Sequence, residues 1–296
     1  MSITANIRPS AIAIERTRQT RLIRSRIISV ATHCLLIVGS MAMLLPFAWM
    51  LSTSLKRQGD VFAFPPVWIP DPIMWTNYGE AWNAAPFNWY LFNTAFVSTS
   101  VTILDVLTSS LAAYAFSRLR FPFRERLFLL YLGTLMIPGQ VTIIPNFVLM
   151  KYLGWMDTYF ALIIPPAFSA FGTFLLRQFF LSIPSELEEA AKIDGASYPR
   201  IWATIIMPLS GPALSTLAVF AFMTQWNNFL WPLIVTNSNT MRTFTVGLRF
   251  FTDEFATQYH LLMAGSVMSI IPIIAVFVFF QRYFVGSIKL TGFGGT

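Results

Sequence analysis

The stretch ELEEAAKIDGASYPRIWATIIMP, residues 186–208, is short and polar, and long apolar runs flank it on both sides. Its charged residues are four acids and two bases: Glu186, Glu188, Glu189 and Asp194 against Lys192 and Arg200. The whole chain has a net charge of +7, so this segment has the opposite sign to the protein around it. Such an element in a very apolar chain favours docking onto a protein outside the bilayer.

The rest of the chain has the composition of an integral membrane protein. Of its 296 residues, 55% are hydrophobic and only 11% are charged, whereas soluble domains have about 25% charged residues. A helix needs roughly 20 apolar residues to cross a bilayer. Runs of that length predict six transmembrane helices, at residues 27–51, 91–116, 127–149, 158–181, 206–235 and 261–284. The predicted fold class is an all-α integral membrane protein.

The basic residues predict the orientation of these helices. Fifteen of the 20 Lys and Arg residues flank one side of the predicted spans. Because basic loops are retained in the cytoplasm, both termini and the acidic segment are predicted to be cytoplasmic. The predicted organisation is a basic tail at 1–26, one membrane domain at 27–284 and a cytoplasmic tail at 285–296. The positive charge is explained by topology, and no nucleic-acid partner is predicted.

Signatures of catalysis and metal binding are missing from the sequence. It contains no G-x-x-x-x-G-K-[ST] phosphate loop, no H-E-x-x-H and no G-x-S-x-G, the motifs that would carry nucleotide, zinc or acyl chemistry. The single cysteine, Cys34, and the two histidines, His33 and His260, form no cluster with metal-ligand spacing. The sequence therefore predicts neither an enzyme nor a metal site.

Capping residues predict the local structure of the acidic segment. Ser185 precedes Glu188 at the spacing of a capping box, and Gly195 stands where a helix needs a left-handed residue to stop. Ser197 and Pro199 then predict the start of a second helix. The expected shape is a helix, a sharp turn and a helix. The alternative is an amphipathic loop on the bilayer surface, although such loops typically present Lys and Arg to anionic lipid.

Two polar groupings fall within the predicted spans. The first is spaced so that its members share one helix face: Ser98, Thr102, Asp105 and Ser109. This face either joins the helix to a partner subunit or forms a cavity wall. The second contains amides and one indole: Gln225, Trp226, Asn227 and Asn228. It either lines a cavity for a neutral polyhydroxylated ligand or ends and bends the fifth helix.

Several motifs resemble a known family. Glu189-Ala190-Ala191, Gly195, Ile205 and Met207-Pro208 resemble the pattern E-A-A-x3-G-x9-I-x-L-P of binding-protein-dependent ABC importer permeases, with Met207 in place of Leu. Other matching stretches are similar to the second six-span permease of maltose-type and glycerol-phosphate-type importers. They are Thr53–Lys56, Ala112–Arg118, Trp226–Pro232 and the ending Leu290–Gly292.

The resemblance implies a type I ABC importer permease fold with a coupling helix at about 185–200. It assigns ATPase coupling to Glu189, Ala190, Ala191 and Gly195, flanked by Glu186, Glu188 and Asp194. The expected function is the transmembrane subunit of an ATP-driven importer for a carbohydrate or related neutral polyol or glycoside in the bacterial inner membrane. An ion-coupled secondary transporter of a small polar solute is the alternative.

The same resemblance implies a set of partners. They are a homologous second permease, two copies of a cytosolic ATPase, an extracytoplasmic substrate-binding protein and membrane lipid. No cofactor is expected on this chain, because ATP and Mg would bind to the ATPase. Substrate-path residues are expected at Asp105 and at Gln225–Asn228.

Overall fold

The computed structural model describes residues 11–252 and 257–291, with side chains described for 25–252 and 257–281. Residues 1–10 of the predicted tail and the ending from Gly292 lie outside the described residues. The α-helices are α1 (Ala11–Ser54), α2 (Thr76–Asn83), α3 (Phe87–Arg118), α4 (Arg124–Gly133), α5 (Gly139–Tyr152), α6 (Tyr159–Ile163), α7 (Ala170–Leu181), α8 (Glu186–Ile193), α9 (Tyr198–Ile201), α10 (Met207–Leu209), α11 (Gly211–Trp226), α12 (Leu230–Val235), α13 (Phe244–Gly247) and α14 (Tyr259–Thr291). A π-helical turn, Trp202–Ile206, joins α9 to α10.

The helices account for all six predicted spans. Three are long and apolar enough to cross a membrane on their own: Ser25–Ser54 in α1, the whole of α3, and Tyr259–Gln281 in α14. Three further spans are bent pairs: Arg124–Met136 with α5 at 97°, Tyr159–Ala167 with α7 at 41°, and Tyr198–Leu209 with α11 at 83°. The predicted all-α fold class with six candidate spans is confirmed when each bent pair is taken as one span.

Proline accounts for two of the three bends. Pro138 stands immediately before α5, and Pro165 and Pro166 begin the 3-10 turn that separates α6 from α7. Each lacks a backbone N–H and cannot continue an α-helix smoothly. At the second bend, the Ser169 side chain accepts a hydrogen bond from the Gly172 N–H at 2.9 Å and caps α7. At these two bends, proline therefore stands at a break between helices, whereas Pro46 and Pro145 lie within α1 and α5.

Several boundaries differ from the prediction, and two of them have a clear consequence. Helix α1 begins at Ala11 instead of at residue 27, so the described part of the predicted tail is helical. The fifth span ends at Trp226 instead of residue 235, because Asn227 forms its C-cap and a break precedes the short helix α12. Asparagine favours such ends because its side chain competes for backbone hydrogen bonds. Here the Asn227 amide donates to the Met223 carbonyl at 2.8 Å.

Helix α3 occupies the centre of the structure and packs against α7 and α11. A buried cluster below the acidic segment joins these helices to α9, and includes Tyr114, Leu176, Phe180, Ile201 and Leu217. Gly172 permits the close approach of α7 to α3, since a Cβ at that position would lie 2.5 Å from the Ser109 hydroxyl. The acidic segment therefore rests on the same helices that form the middle of the membrane domain.

Candidate coupling site and membrane cavity

The acidic segment forms two short helices joined by a tight turn. Helix α8 ends at Ile193, Gly195 adopts a φ of +81°, and α9 begins at Tyr198 with Pro199 in its first turn. A Cβ at Gly195 would meet nothing within 4 Å. The position therefore requires glycine for its left-handed backbone and not for space. The predicted helix, turn and helix are confirmed.

The predicted capping box is wrong. Ser185 has helical backbone angles, φ −69° and ψ −24°, and its side chain makes no capping hydrogen bond. Ser197 is extended, as an N-cap should be, but its side chain also caps nothing. Glu188 cannot reach back to the Ser185 N–H because its carboxylate is held by Arg118 on another helix. A tertiary ion pair has replaced the local contact.

Arg118, the last residue of α3, joins three elements. Its Nε lies 2.9 Å from Glu188 Oε1, as an ion pair whose N–H is not aligned for a hydrogen bond. Its Nη2 donates to the carbonyls of Phe180 and, at 2.6 Å, Ile183, which stand at the end of α7 and just beyond it. Both charged side chains are buried, with exposures of 10% for Arg118 and 5% for Glu188. This contact fixes α8 to the ends of α3 and α7.

The remaining predicted coupling residues present a surface with acidic and apolar parts. Glu186, Glu189, Ala190, Asp194 and Gly195 are exposed, whereas Ala191 is half-buried against the core below and Glu188 faces inward. Sequence reasoning missed Ile193, whose side chain is 87% exposed at the tip of α8. An isolated isoleucine between Lys192 and Asp194 was the signal, because an apolar residue at a polar helix end is suited to a docking contact.

The predicted basic loop between the second and third spans meets the acidic segment. A cleft of about 570 Å³ is lined on one side by Arg118, Arg120 and Arg124 and on the other by Glu188 and Glu189. Lys192 and Tyr198 line the same cleft. Lys192 Nζ lies 5.0 Å from the ring centroid of Tyr198, a cation–π contact that joins α8 to α9 across the turn.

A second cavity lies within the membrane domain, where the bent spans break. It has a volume of about 480 Å³, and its lining includes Asp105 from α3, Thr134 from the first bend, Phe168 and Ser169 from the second, and Gln225 from α11. The structure therefore brings together one member of each predicted polar grouping. Asp105 is 5% exposed and Gln225 is 7% exposed.

Most other members of the two groupings make contacts within the chain, although the buried Ser98 Oγ has no hydrogen-bond partner. Thr102 donates to the Ser98 carbonyl at 2.7 Å. Ser109 donates to Asp105 Oδ1 at 2.8 Å and lies 3.3 Å from the Ser169 carbonyl, so this face of α3 meets the break before α7 in the same chain. Trp226 is buried and donates from Nε1 to the Ser269 carbonyl of α14 at 3.1 Å. Trp226 does not line this cavity.

Asn227 and Asn228 lie at the C-terminal end of α11. Asn227 is exposed and bonds to its own helix. The Asn228 amide lies 3.5 Å from Gln225 Oε1. The structure thus supports the helix-ending alternative for Asn227 and Asn228, while Gln225 faces the cavity.

At the end of the domain opposite the acidic segment, Asp157 holds two loops together. Its carboxylate accepts hydrogen bonds from the backbone N–H groups of Asn237 at 2.9 Å and Ser238 at 3.1 Å. Burial alone would raise the pKa of Asp157, but these hydrogen bonds and the charge of Arg242 outweigh it and lower the pKa below its ordinary value. The carboxylate therefore stabilises the folded loops in its charged form.

No group of three or more His, Cys, Asp or Glu side chains that could hold a metal ion occurs among the residues whose side chains are described. The chemistry available at both candidate sites is hydrogen bonding, ion pairing and apolar contact.

The comparisons with known proteins agree with this geometry. Residues 105–290, more than half of the chain, match the family described as binding-protein-dependent transport system inner membrane component. The chain belongs to this family. The resemblance to ABC importer permeases seen in the sequence is confirmed, and this permease is a transport component and not an enzyme.

Two curated relatives cover most of the permease. It is 37% identical over 261 residues to the sn-glycerol-3-phosphate transport system permease protein UgpE of Yersinia enterocolitica, covering 86% of this chain and 93% of the relative. It is 38% identical over 245 residues to the arabinooligosaccharides transport system permease protein AraQ of Halalkalibacterium halodurans, covering 82% and 86%.

Two solved structures share its fold. A chain of a bacterial ABC transporter involved in the import of the acidic polysaccharide alginate matches with a TM-score of 0.77 and 27% identity, over 88% of the permease and 98% of that chain. A chain of the bacterial alginate ABC transporter in complex with an alginate pentasaccharide-bound periplasmic protein matches with a TM-score of 0.60 and 13% identity, over 90% and 95%. The second likeness concerns the fold alone.

Proposed function

We propose that the permease is one of two membrane subunits of an ATP-driven importer for a carbohydrate or a related neutral polyol or glycoside. It forms half of the translocation path and pairs with a second, homologous permease in the bacterial inner membrane. The family membership and a relative named for arabino-oligosaccharide transport support this proposal. Both termini and the acidic segment lie in the cytoplasm, because most of the basic residues flank that side.

The acidic segment docks on a separate ATPase subunit, two copies of which serve the two permeases. Its exposed surface combines Ile193 with acidic residues around it, which is the arrangement of an apolar contact within a polar rim. ATP and Mg bind to the ATPase. A substrate-binding protein delivers the solute at the opposite end of the membrane domain.

The observation that carries the proposal is the rigid connection from the acidic segment to the membrane cavity. Glu188 of α8 pairs with Arg118, and α3 continues without interruption from Arg118 to Asp105 in the cavity wall. The two positions are 13 residues apart on one helix, about 20 Å at the helical rise. A displacement of α8 by the ATPase therefore moves the wall of the cavity, which is the physical requirement for alternating access.

The same connection between α8 and α3 disfavours a secondary transporter. Such a transporter would couple through ionisable groups inside the membrane and has no use for a braced acidic element outside it. Ion-driven uptake that persists when the ATPase is poisoned would favour that alternative.

Two substitutions at Gly195 test the coupling role. Gly195→Val should disrupt the turn, because a β-branched residue is strongly disfavoured at a φ of +81°. Asn tolerates this conformation, so Gly195→Asn is the matched control with a side chain of similar volume. In the complete transporter in proteoliposomes, Gly195→Val should assemble but lose ATPase stimulation by the solute-loaded binding protein, whereas Gly195→Asn should retain much of it. Full stimulation in Gly195→Val would reject the coupling role.

A further inference from the structure

We propose that the cavity at Asp105 and Gln225 is a binding site for an uncharged, polyhydroxylated part of the transported solute, and that Asp105 excludes anions from it. This inference rests on the proposed function in one respect, that the solute passes along this permease. It adds a chemical selection that the chain makes inside the membrane, beyond any selection by the binding protein.

The position of the cavity supports a place on a water-accessible path. It lies where two bent spans break, at Thr134–Leu135 and at Pro166–Ser169. Irregular backbone at membrane depth is stable only where it is buried in protein or lines a water-filled space. Asp105 and Gln225 face this space from two continuous helices. An ionisable residue inside a membrane domain marks a functional path by default.

Asp105 retains capacity for a ligand. The Ser109 hydroxyl occupies Oδ1 of Asp105, and the other carboxylate oxygen has acceptor sites left. Gln225 lines the same cavity, with its Oε1 3.5 Å from the Asn228 amide. A hydroxyl group of the solute can donate to the carboxylate, whereas an anionic group can only accept.

The rest of the lining agrees with a neutral sugar. Phe168, Phe171 and Phe220 supply aromatic surface on which the C–H face of a sugar ring packs. The volume of about 480 Å³ is that of a small-molecule site. None of the described residues that line the cavity is Lys, Arg or His.

An anionic solute would therefore meet the Asp105 carboxylate without a compensating cation in this chain. Phosphate, sulfonate and uronate groups are disfavoured, while hydroxyl-rich neutral groups are accepted. Although UgpE is named for glycerol phosphate and the alginate importer for an acidic polysaccharide, the cavity predicts a different solute charge for this permease.

Charged thiol reagents test the selection without knowledge of the solute. Cys34 is replaced by Ser, and Thr224→Cys or Thr134→Cys places one thiol at an exposed position of the cavity wall. Methanethiosulfonate reagents that carry a trimethylammonium or a sulfonate group are then compared in the complete transporter in membranes. We expect the ratio of cationic to anionic reaction rates to exceed that of a free thiol in solution roughly tenfold, because the Asp105 carboxylate lines the same partly dry cavity and acts strongly there.

Removing the carboxylate should remove this preference. Asp105→Asn keeps the side-chain shape and should bring the ratio of cationic to anionic rates close to that of the free thiol. Asp60→Asn, which removes the same charge from the exposed loop after α1, is the control and should leave the ratio unchanged. An unchanged ratio in Asp105→Asn would overturn the proposal. So would a thiol that reacts in the isolated chain but not in the complete transporter, since the partner permease would then fill the cavity.

A protection experiment tests the hydroxyl specificity. An uncharged thiosulfonate reagent is applied to Thr224→Cys in the presence of arabinose or, at equal concentration and ionic strength, glucuronate. Arabinose should slow the reaction severalfold and glucuronate should not, while Asp105→Asn should allow protection by both. Equal protection by the two sugars in the unsubstituted cavity, or protection by neither, would contradict the inference. Measured without ATP, these rates do not depend on ATPase coupling, so a failure of coupling in Gly195→Val is distinguishable from a failure of solute selection.

Discussion

Replacing Glu188 with Gln should destabilise the permease more than any other single charge removal on the acidic segment. The ion pair with Arg118 is buried on both sides, with exposures of 10% and 5%, so water screens it little. Breaking a buried pair by removing one partner costs about 3–5 kcal/mol. Arg118 keeps its two carbonyl partners beyond the pair, so we expect a loss near the lower end, about 3 kcal/mol.

The measurement is thermal inactivation of the purified chain in detergent, followed as the fraction that remains monodisperse after heating. Membrane proteins commonly unfold irreversibly, so the half-life at a fixed temperature is the appropriate quantity. Glu186→Gln and Glu189→Gln are the matched controls, because both side chains are exposed on the same helix. Each should change stability by less than about 0.5 kcal/mol, although Glu189→Gln should weaken ATPase stimulation in the complete transporter.

A double substitution sharpens the result. Arg118→Gln combined with Glu188→Gln leaves no uncompensated charge, so its loss of stability should be clearly smaller than the sum of the two single losses. If Glu188→Gln inactivates at the same rate as Glu186→Gln, the ion pair does not hold α8 in place and the proposed connection from the coupling segment to α3 is refuted.

Three further predictions concern the membrane domain and its outer end. Gly172→Ala should destabilise the chain by about 1–3 kcal/mol, because the new Cβ would lie 2.5 Å from the Ser109 hydroxyl. Thermal inactivation measures this loss. The control is Gly133→Ala, whose new Cβ would meet no neighbour within 4 Å. Asp157→Ala should lose about 1–3 kcal/mol from its backbone hydrogen bonds. Because folding lowers the pKa of Asp157, its contribution is present above the ordinary value of 3.8 and is lost as pH falls through the lowered value, so the difference between wild type and Asp157→Ala should shrink in acid. Trp226→Phe should cost about 1 kcal/mol through the hydrogen bond to Ser269 without altering the thiol-reagent ratio in the cavity, since the indole faces away from it; an altered ratio would contradict that orientation.

Much of the fold was predictable because it depends on long apolar runs and on turn residues that can be recognised from their immediate sequence. The six spans follow from apolar runs. The sharp turn follows from Gly195, which stands at the helix end and adopts the positive φ that the turn requires. The ends of the helices were less predictable. The fifth span ends at Trp226 because the following asparagines capture the last carbonyls, while the run of apolar residues continues beyond it.

The candidate sites, too, were predictable only where their residues lie on one helix. Sequence spacing predicted that Ser98, Asp105 and Ser109 share one face of α3, and all three are buried together. It could not predict that Gln225, 120 residues further along the chain, meets Asp105 at one cavity while its neighbour Trp226 turns away to Ser269. Helical periodicity fixes which residues of one helix point the same way, but the meeting of two helices depends on how the bent spans pack.

By itself, then, the sequence determined the membrane class, the six spans, the acidic element and its turn, because each depends on residues near one another along the chain. The tertiary structure alone decided the partner of Glu188. Local capping favoured Ser185, three residues away, yet the carboxylate pairs with Arg118, seventy residues earlier. A buried guanidinium at the junction of α3 and α7 requires a counter-charge more strongly than a helix end requires a cap, and that burial exists only once the helices have packed.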